Sequence, residues 1–482
     1  MAQAGRRIFD TIWCNHHSLS TSYHSSDEPL TFQEVQGKRF SPIPIDQEWG
    51  RNFSCAWFRM SGKVPLSMRG KSVVALINLE GEGCVFDKNG SPYQGLTPHF
   101  DDRHGGLLGP KKELKLYQSC RGGEEISILI DAGANQLLGG NRASHLRQAE
   151  IAEFNETAWK LYHEYRFLEL TLLELSEKSR HRQLILRCLN NVCNLLGEYS
   201  EPELKRARRL LQDELNREAN ASALNVSAIG HAHIDVAWLW PLRETVRKCA
   251  RTFSTALRMM EEYPDYKFGA SQPQLYQFVK THYPKLYRQI KSAIDQGRWE
   301  VQGGMWVESD CNIPSGESLV RQVIHGKRYF MQEFGIEVDH LWLPDVFGYS
   351  AALPQILKKS RIDYFTTHKL NWNQFNTFPH HTMQWRGLDG SEIFEHFLAG
   401  NGYNVSSTPR DFMRFESENR DLDRTDHALC LFGIGDGGGG PGRTHIEWTR
   451  LAADTEDLPK VKMEFARDFF TKASSSATDP AT

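Results

Sequence analysis

A chain of 482 residues is too long for one compact core and is expected to divide into two or three domains. Its composition is that of an ordinary soluble protein, 40% hydrophobic and 24% charged, and the formal net charge of -3 excludes a nucleic-acid footprint or attraction to an anionic membrane. No apolar run approaches a membrane span, the start Met1-Ala2-Gln3-Ala4-Gly5-Arg6-Arg7 does not read as a signal peptide, and the cysteines lack Cys-x-x-Cys spacing, so a cytoplasmic protein with reduced thiols is expected.

Residues up to about Ile45 are rich in Ser, His and Pro and predict irregular structure. Short alternating runs at Ser54–Met60, Ser72–Leu79 and Glu125–Asp131 predict strands. Lys88-Asn89-Gly90 predicts a hairpin turn between Cys84–Phe86 and Pro92–Gln94. Together they suggest an N-terminal β-sandwich over residues 1–145, with bracing as its role. From about Ala149 the spacing of Ile151, Phe154, Trp159, Leu161, Tyr165 and Leu168 predicts a helix. Further helices follow from about His181 to Leu196 and from Glu201-Pro202, giving a helical connector over residues 146–222.

From residue 223 to 482 strands and helices alternate. Strands are expected from Ser222 to the His231 region, at Phe268–Ser271, Trp299–Val307, Leu341–Leu343, Tyr364–Thr367 and Ala428–Gly433, with a hairpin formed by Met383–Trp385 and Ile393–Phe397. Helices are expected after Pro241, around Leu275–Asp295, and over Gly316–Phe334 and Ser350–Lys359. Repeated β-then-α units argue for a multidomain α/β protein whose last domain is a parallel sheet or incomplete barrel. The Ser-rich tail after Phe470 predicts disorder.

In parallel α/β folds functional residues gather at the carboxyl ends of strands. Here one strand runs into Gly230-His231-Ala232-His233-Ile234-Asp235, another into Val307-Glu308-Ser309-Asp310, a third into Pro344-Asp345-Val346-Phe347-Gly348-Tyr349, and a fourth into Gly435-Asp436 before Gly437–Gly440. Strand periodicity puts His231, His233 and Asp235 on one face. Several acids on one rim repel unless a cation or protons offset them, and His233, Asp235 and Asp345 suit a divalent ion. Two further carboxylate roles then suit glycoside hydrolysis. Trp238, Trp306, Phe347 and Trp372 are candidate sugar platforms, with Trp238 and Phe347 foremost because each follows a candidate ligand. The glycine run lacks the Lys-Ser/Thr of a phosphate loop.

These motifs resemble those of class II α-mannosidases, glycoside hydrolase family 38. Gly230–Pro241 resembles the family signature, and Leu343–Ser350 its nucleophile segment. Gly303–Asp310, Pro314–Gln322 and Phe432–Pro441 resemble the cytosolic and vacuolar branch. The resemblance implies a seven-stranded β/α catalytic domain and a retaining exo-α-mannosidase. It implies His233, Asp235 and Asp345 as metal ligands, Asp345 also as nucleophile, Asp436 as general acid/base, and Trp238 and Phe347 as sugar contacts. It implies Zn²⁺, or Co²⁺ in the cytosolic branch, and free mannose-rich oligosaccharides as substrates. A homo-oligomer is compatible with it. The family's further His ligand would lie beyond Thr482, so the resemblance implies a C-terminally short form. Two other readings stay open: a metal-dependent polysaccharide deacetylase using bound water, and a non-catalytic carbohydrate-binding chain.

Overall fold

The computed structural model describes residues 1–98, 110–139, 143–400 and 402–482. The chain divides into two compact units, Met1–Arg217 with Ala237–Arg258, and Glu218–Val236 with Met259–Thr482.

Two larger antiparallel sheets shape the first unit, beside a 2-stranded pairing of Ser144–His145 with Glu48–Gly50. One is 4-stranded, in the order Trp13–Ser18, Gln148–Phe154, Val73–Asn78, Glu113–Tyr117. The other is 6-stranded, in the order Ser41–Pro42, Ser20–Ser26, Cys55–Lys63, Glu125–Gly133, Glu82–Phe86, Pro92–Leu96. Alternate residues such as Ala56, Phe58 and Met60 on one sheet and Val73, Ala75 and Ile77 on the other share one buried cluster, the sandwich core. The expected hairpin is present, with Val85 opposite Gln94.

Two expectations fail here. The N-terminal stretch is not irregular: it forms the helix Ala2–Asp10 and two strands. The first of those strands is largely exposed, the second half-buried, and both are polar, so their sequence shows no alternation. Nor does helix begin near Ala149. Ile151 and Ala152 face Ala75 and Val74 as the inner strand of the smaller sheet, and the helix starts at Glu156 behind Asn155, whose side chain accepts from the Ala158 N–H at 2.9 Å. Helices Arg180–Leu195 and Glu201–Leu215 follow it in this unit.

The second unit holds two sheets. The first runs Trp299–Val301, Phe268–Ala270, Asn225–His231, His427–Phe432, all parallel, with Lys460–Met463 also pairing in parallel with Asn225–His231. The second runs His340–Leu343, Tyr364–Thr367, Glu392–Phe397 in parallel, edged by the antiparallel Thr382–Arg386. The expected strand to Val307 stops at Val301, and the helix expected over Leu275–Asp295 is two helices, Pro273–His282 and Pro284–Asp295, because Pro284 cannot continue the first. The tail is not disordered. Helix Ala466–Ser476 buries Phe469, Phe470 and Ala473 against Leu429 and Leu431. No helix among the described residues is long and apolar enough to cross a membrane.

Candidate active site

The Asn225–His231 strand is buried throughout except at its first residue, and the chain leaves it as an irregular segment that carries His233 and Asp235. The His233 N–H donates to the Gly435 carbonyl at 2.9 Å, and the Gly438 N–H donates to the His233 carbonyl at 2.9 Å. This close approach requires glycine at 435, where a Cβ would stand 2.0 Å from the Tyr403 carbonyl oxygen. On the other side, Gln272 follows the Phe268–Ala270 strand with φ of 63°. Its amide donates to the Ile234 carbonyl at 3.0 Å and accepts from the Glu308 N–H at 3.2 Å. A non-glycine residue in the left-handed region is strained, and here it ties two strand-end segments together.

His233, Asp235 and Asp345 converge as the sequence predicts: each offers a ligand atom, and these lie within 4.8 Å of one another. His233 Nε2 stands 3.3 Å from Asp235 Oδ1 and 3.5 Å from Asp345 Oδ2. That nitrogen is buried and makes no hydrogen bond of good geometry. A buried imidazole nitrogen facing two carboxylates is a donor set for a borderline divalent cation, so the residues fit the metal that the resemblance implies. His231 does not join them. The strand ends at this residue, and its Nε2 turns to the Tyr403 carbonyl at 2.9 Å. Burial pushes its pKa down to about 4.

Glu308 sits behind His233. Its Oε2 is 2.6 Å from His233 Nδ1, and its Oε1 accepts from Ser271 Oγ at 2.6 Å. Burial alone would lower the His233 pKa; the Glu308 and Asp235 carboxylates outweigh it and hold the imidazole well above its ordinary value. A carboxylate on the outer nitrogen fixes the ring and raises its basicity as a ligand. Asp310 takes no such part, accepting the Asn312 N–H in a local turn.

Asp345 is shared. Lys369 Nζ lies 2.5 Å from its Oδ1, and the Tyr403 phenol hydrogen-bonds its carboxylate. Burial and the negative charges of Asp436 and Asp345 push the Tyr403 pKa up, so the phenol stays protonated. Asp436, on the loop after His427–Phe432, is held by its N–H donating to Asn404 Oδ1 at 2.7 Å. Its pKa is raised by burial first, then by the charges of Asp345 and Asp235, against the opposing pull of His233 and Lys369.

Of the aromatic candidates, Phe347 (77% exposed) and Trp372 (61%) flank Lys369, whose Nζ is 4.3 Å and 3.2 Å from their ring centroids. Trp306 is a packing residue: its indole donates to Gln274 Oε1 at 3.0 Å and its ring edges onto Tyr329. Trp238 lies in the first unit, exposed and edge-on to Trp240.

Sequence reasoning missed Ser271, Gln272, Lys369 and Tyr403 as site residues. Ser271, Gln272 and Lys369 stand within two residues of a strand end, so the strand-end rule had the signal for them. Tyr403 lies in a loop after Glu392–Phe397 and carries no such mark.

Fold and rim together define a class: a parallel β/α domain whose strand ends assemble a cation-ready imidazole, several carboxylates and flanking aromatics. The chain belongs to glycosyl hydrolases family 38, whose N-terminal domain model matches residues 223–482, while the model of an α-mannosidase jelly roll domain matches residues 17–157. It is 35% identical to alpha-mannosidase 2C1 of Mus musculus over 94% of this chain and 44% of that protein, and 33% identical to alpha-mannosidase of Saccharomyces cerevisiae over 89% of this chain and 42% of that protein. The chain thus spans less than half the length of these relatives. An α-mannosidase structure from Enterococcus faecalis aligns with a TM-score of 0.46 and 20% identity over 54% of this chain and 30% of that one.

Proposed function

We propose that the second unit carries the catalytic residues of a metal-dependent, retaining exo-α-mannosidase that removes terminal mannose from free mannose-rich oligosaccharides in the cytoplasm. The observation that carries this is the convergence of His233 Nε2 on Asp235 and Asp345 beside Asp436. His233, Asp235 and Asp345 would hold the divalent ion, Zn²⁺ or Co²⁺. Bound there, it supplies Lewis-acid charge that grips sugar hydroxyls and favours a distorted ring.

Asp345 attacks the anomeric carbon while Asp436, whose pKa burial and the neighbouring carboxylates raise, gives its proton to the leaving oxygen. Water then enters on the face the leaving group vacated. Asp436 takes a proton from it, and the Asp345–sugar bond breaks with configuration retained. Phe347, exposed beside the nucleophile, offers a ring face to the sugar.

The test is turnover of an aryl α-mannoside by the metal-loaded chain, with the product anomer read by NMR and a fluorinated mannosyl fluoride used to trap the intermediate. Retained configuration, loss of turnover with chelator, and an adduct on the Asp345 peptide are expected. Inverted product, or an adduct elsewhere, would defeat the reading. Turnover with no adduct at all would count against Asp345 as the nucleophile.

A further inference from the structure

The two oxygens of Asp345 face different partners. Oδ2 looks toward His233 Nε2 at 3.5 Å, while Oδ1 meets Lys369 Nζ at 2.5 Å. The lysine is buried, with a side chain only 5% exposed, and sits on the short helix Lys369–Trp372 that follows the strand Tyr364–Thr367. Two aromatic faces, Phe347 and Trp372, lie against the ammonium and replace part of its lost hydration. The pair is a close ion contact in which Oδ1 accepts no hydrogen bond of good geometry, so the ammonium acts on the carboxylate through its charge and its bulk.

We propose that Lys369 is a positioning residue that divides the Asp345 carboxylate, leaving Oδ2 to the cation and holding Oδ1 free of it as the attacking oxygen. The inference rests on the function proposed above and deepens it. A carboxylate that chelates a cation through both oxygens has no lone pair aimed at the sugar. The ammonium prevents this by occupying the Oδ1 side, and its positive charge also resists a cation sliding toward it. In the covalent step Oδ1 forms the bond to the anomeric carbon, the glycosidic C–O bond breaks, and the departing oxygen takes the Asp436 proton. Lys369 neither gains nor loses a proton. In the second step it faces Oδ1 again as the carboxylate departs.

The experiment compares Lys369→Gln and Lys369→Arg with the parent chain by thermal melting, Zn²⁺ affinity from chelator competition, and steady-state kinetics on an aryl α-mannoside. For the folded Gln variant kcat should fall at least 100-fold with KM within threefold, and Zn²⁺ should bind at least tenfold tighter because both Asp345 oxygens become available. The Arg variant keeps a cation against Oδ1 and should restore the parent's Zn²⁺ affinity and bring kcat to within tenfold. A folded Gln variant that binds Zn²⁺ as the parent does, or turns over within threefold of it, overturns the assignment. Should the Gln variant not fold, the Arg variant decides alone: parental Zn²⁺ affinity with kcat within tenfold supports the division, and a folded Arg variant outside either bound overturns it. A parent without turnover defeats the proposed function instead, and the Zn²⁺ comparison still tests the division of the two oxygens.

Discussion

Glu308 Oε2 lies 2.6 Å from His233 Nδ1, with its other oxygen accepting from Ser271 Oγ at the same distance. The imidazole is therefore clamped from behind, and its Nε2 can aim only at the two aspartates. Glu308→Gln keeps the side chain's shape but removes the charge that makes the ring basic. Zn²⁺ affinity should drop about 10- to 100-fold. Isothermal titration at neutral pH reads this directly, and parental affinity in the variant would show that the clamp is not felt at the cation.

Asp436 sits among Asp345 and Asp235 in a partly buried loop, and its pKa is raised by burial first and then by those charges. As the acid of the first step it must be protonated, so its raised pKa extends activity upward in pH. The falling limb of kcat/KM at higher pH should follow this group. Asp436→Asn should lose about 10²- to 10⁴-fold on an oligosaccharide. It should lose far less on an aryl mannoside whose leaving group needs no proton, and the limb should flatten. Equal losses on the two substrates would remove Asp436 from the acid role.

The site was legible where chemistry follows directly on an apolar strand. His233, Asp235, Asp345 and Asp436 all stand in such places, and the structure gathers them. Lys369 carries the strand-end mark, but a lysine there reads as an ordinary solvated charge until the neighbouring strand end brings Asp345 against it. His231 failed for the opposite reason: period-two alternation was carried past the point where the strand stops. Composition misled at both ends of the chain. The Ser- and His-rich strands Trp13–Ser18 and Ser20–Ser26 are ordered by pairing with Gln148–Phe154 and Cys55–Lys63, and the tail helix by burying Phe469 and Phe470. These are tertiary causes that local pattern does not carry.

Helix Leu242–Glu262 shows the same limit more sharply. Glu244, Arg247, Lys248 and Arg251 form a charged stripe at helical spacing, which reads as a solvent face, yet all four are buried in the first unit. Arg247 donates to both oxygens of Asp131 at 3.0 and 2.5 Å, Lys248 reaches Glu82 at 2.8 Å, and Arg251 bridges Glu82 and Glu244 at 3.1 and 3.0 Å. Arg247→Met leaves Asp131 buried without its counter-charge and should destabilise the unit by about 3–5 kcal/mol. Adding Asp131→Leu should recover part of that loss in urea unfolding. If the double variant is no more stable than the single one, the penalty is not an uncompensated charge.

His396 and His381 are among the buried histidines that make the second unit sensitive to acid. His396 Nδ1 lies 3.0 Å from Thr382 Oγ1, and its Nε2 accepts the Leu429 N–H at 3.3 Å. His381 Nδ1 accepts the Arg420 N–H at 3.1 Å. A ring nitrogen that accepts cannot carry a proton, so these contacts favour the neutral form. Burial, and secondarily the neighbouring positive charge of His381 and Arg420 respectively, pushes the pKa of His396 down to about 3 and that of His381 to about 4. In the unfolded chain both return to about 6.5. As pH falls below that value the unfolded state takes up protons that the folded state refuses, so stability is complete above about pH 6.5 and declines until the folded pKa is reached. Between pH 4 and 6 each such histidine contributes a slope of about 1.4 kcal/mol per pH unit. His396→Asn cannot be protonated, so the variant should lose one histidine's share of that slope even though its stability at neutral pH falls. Urea unfolding across this range measures both, and an unchanged slope would mean that His396 is not the group excluding the proton.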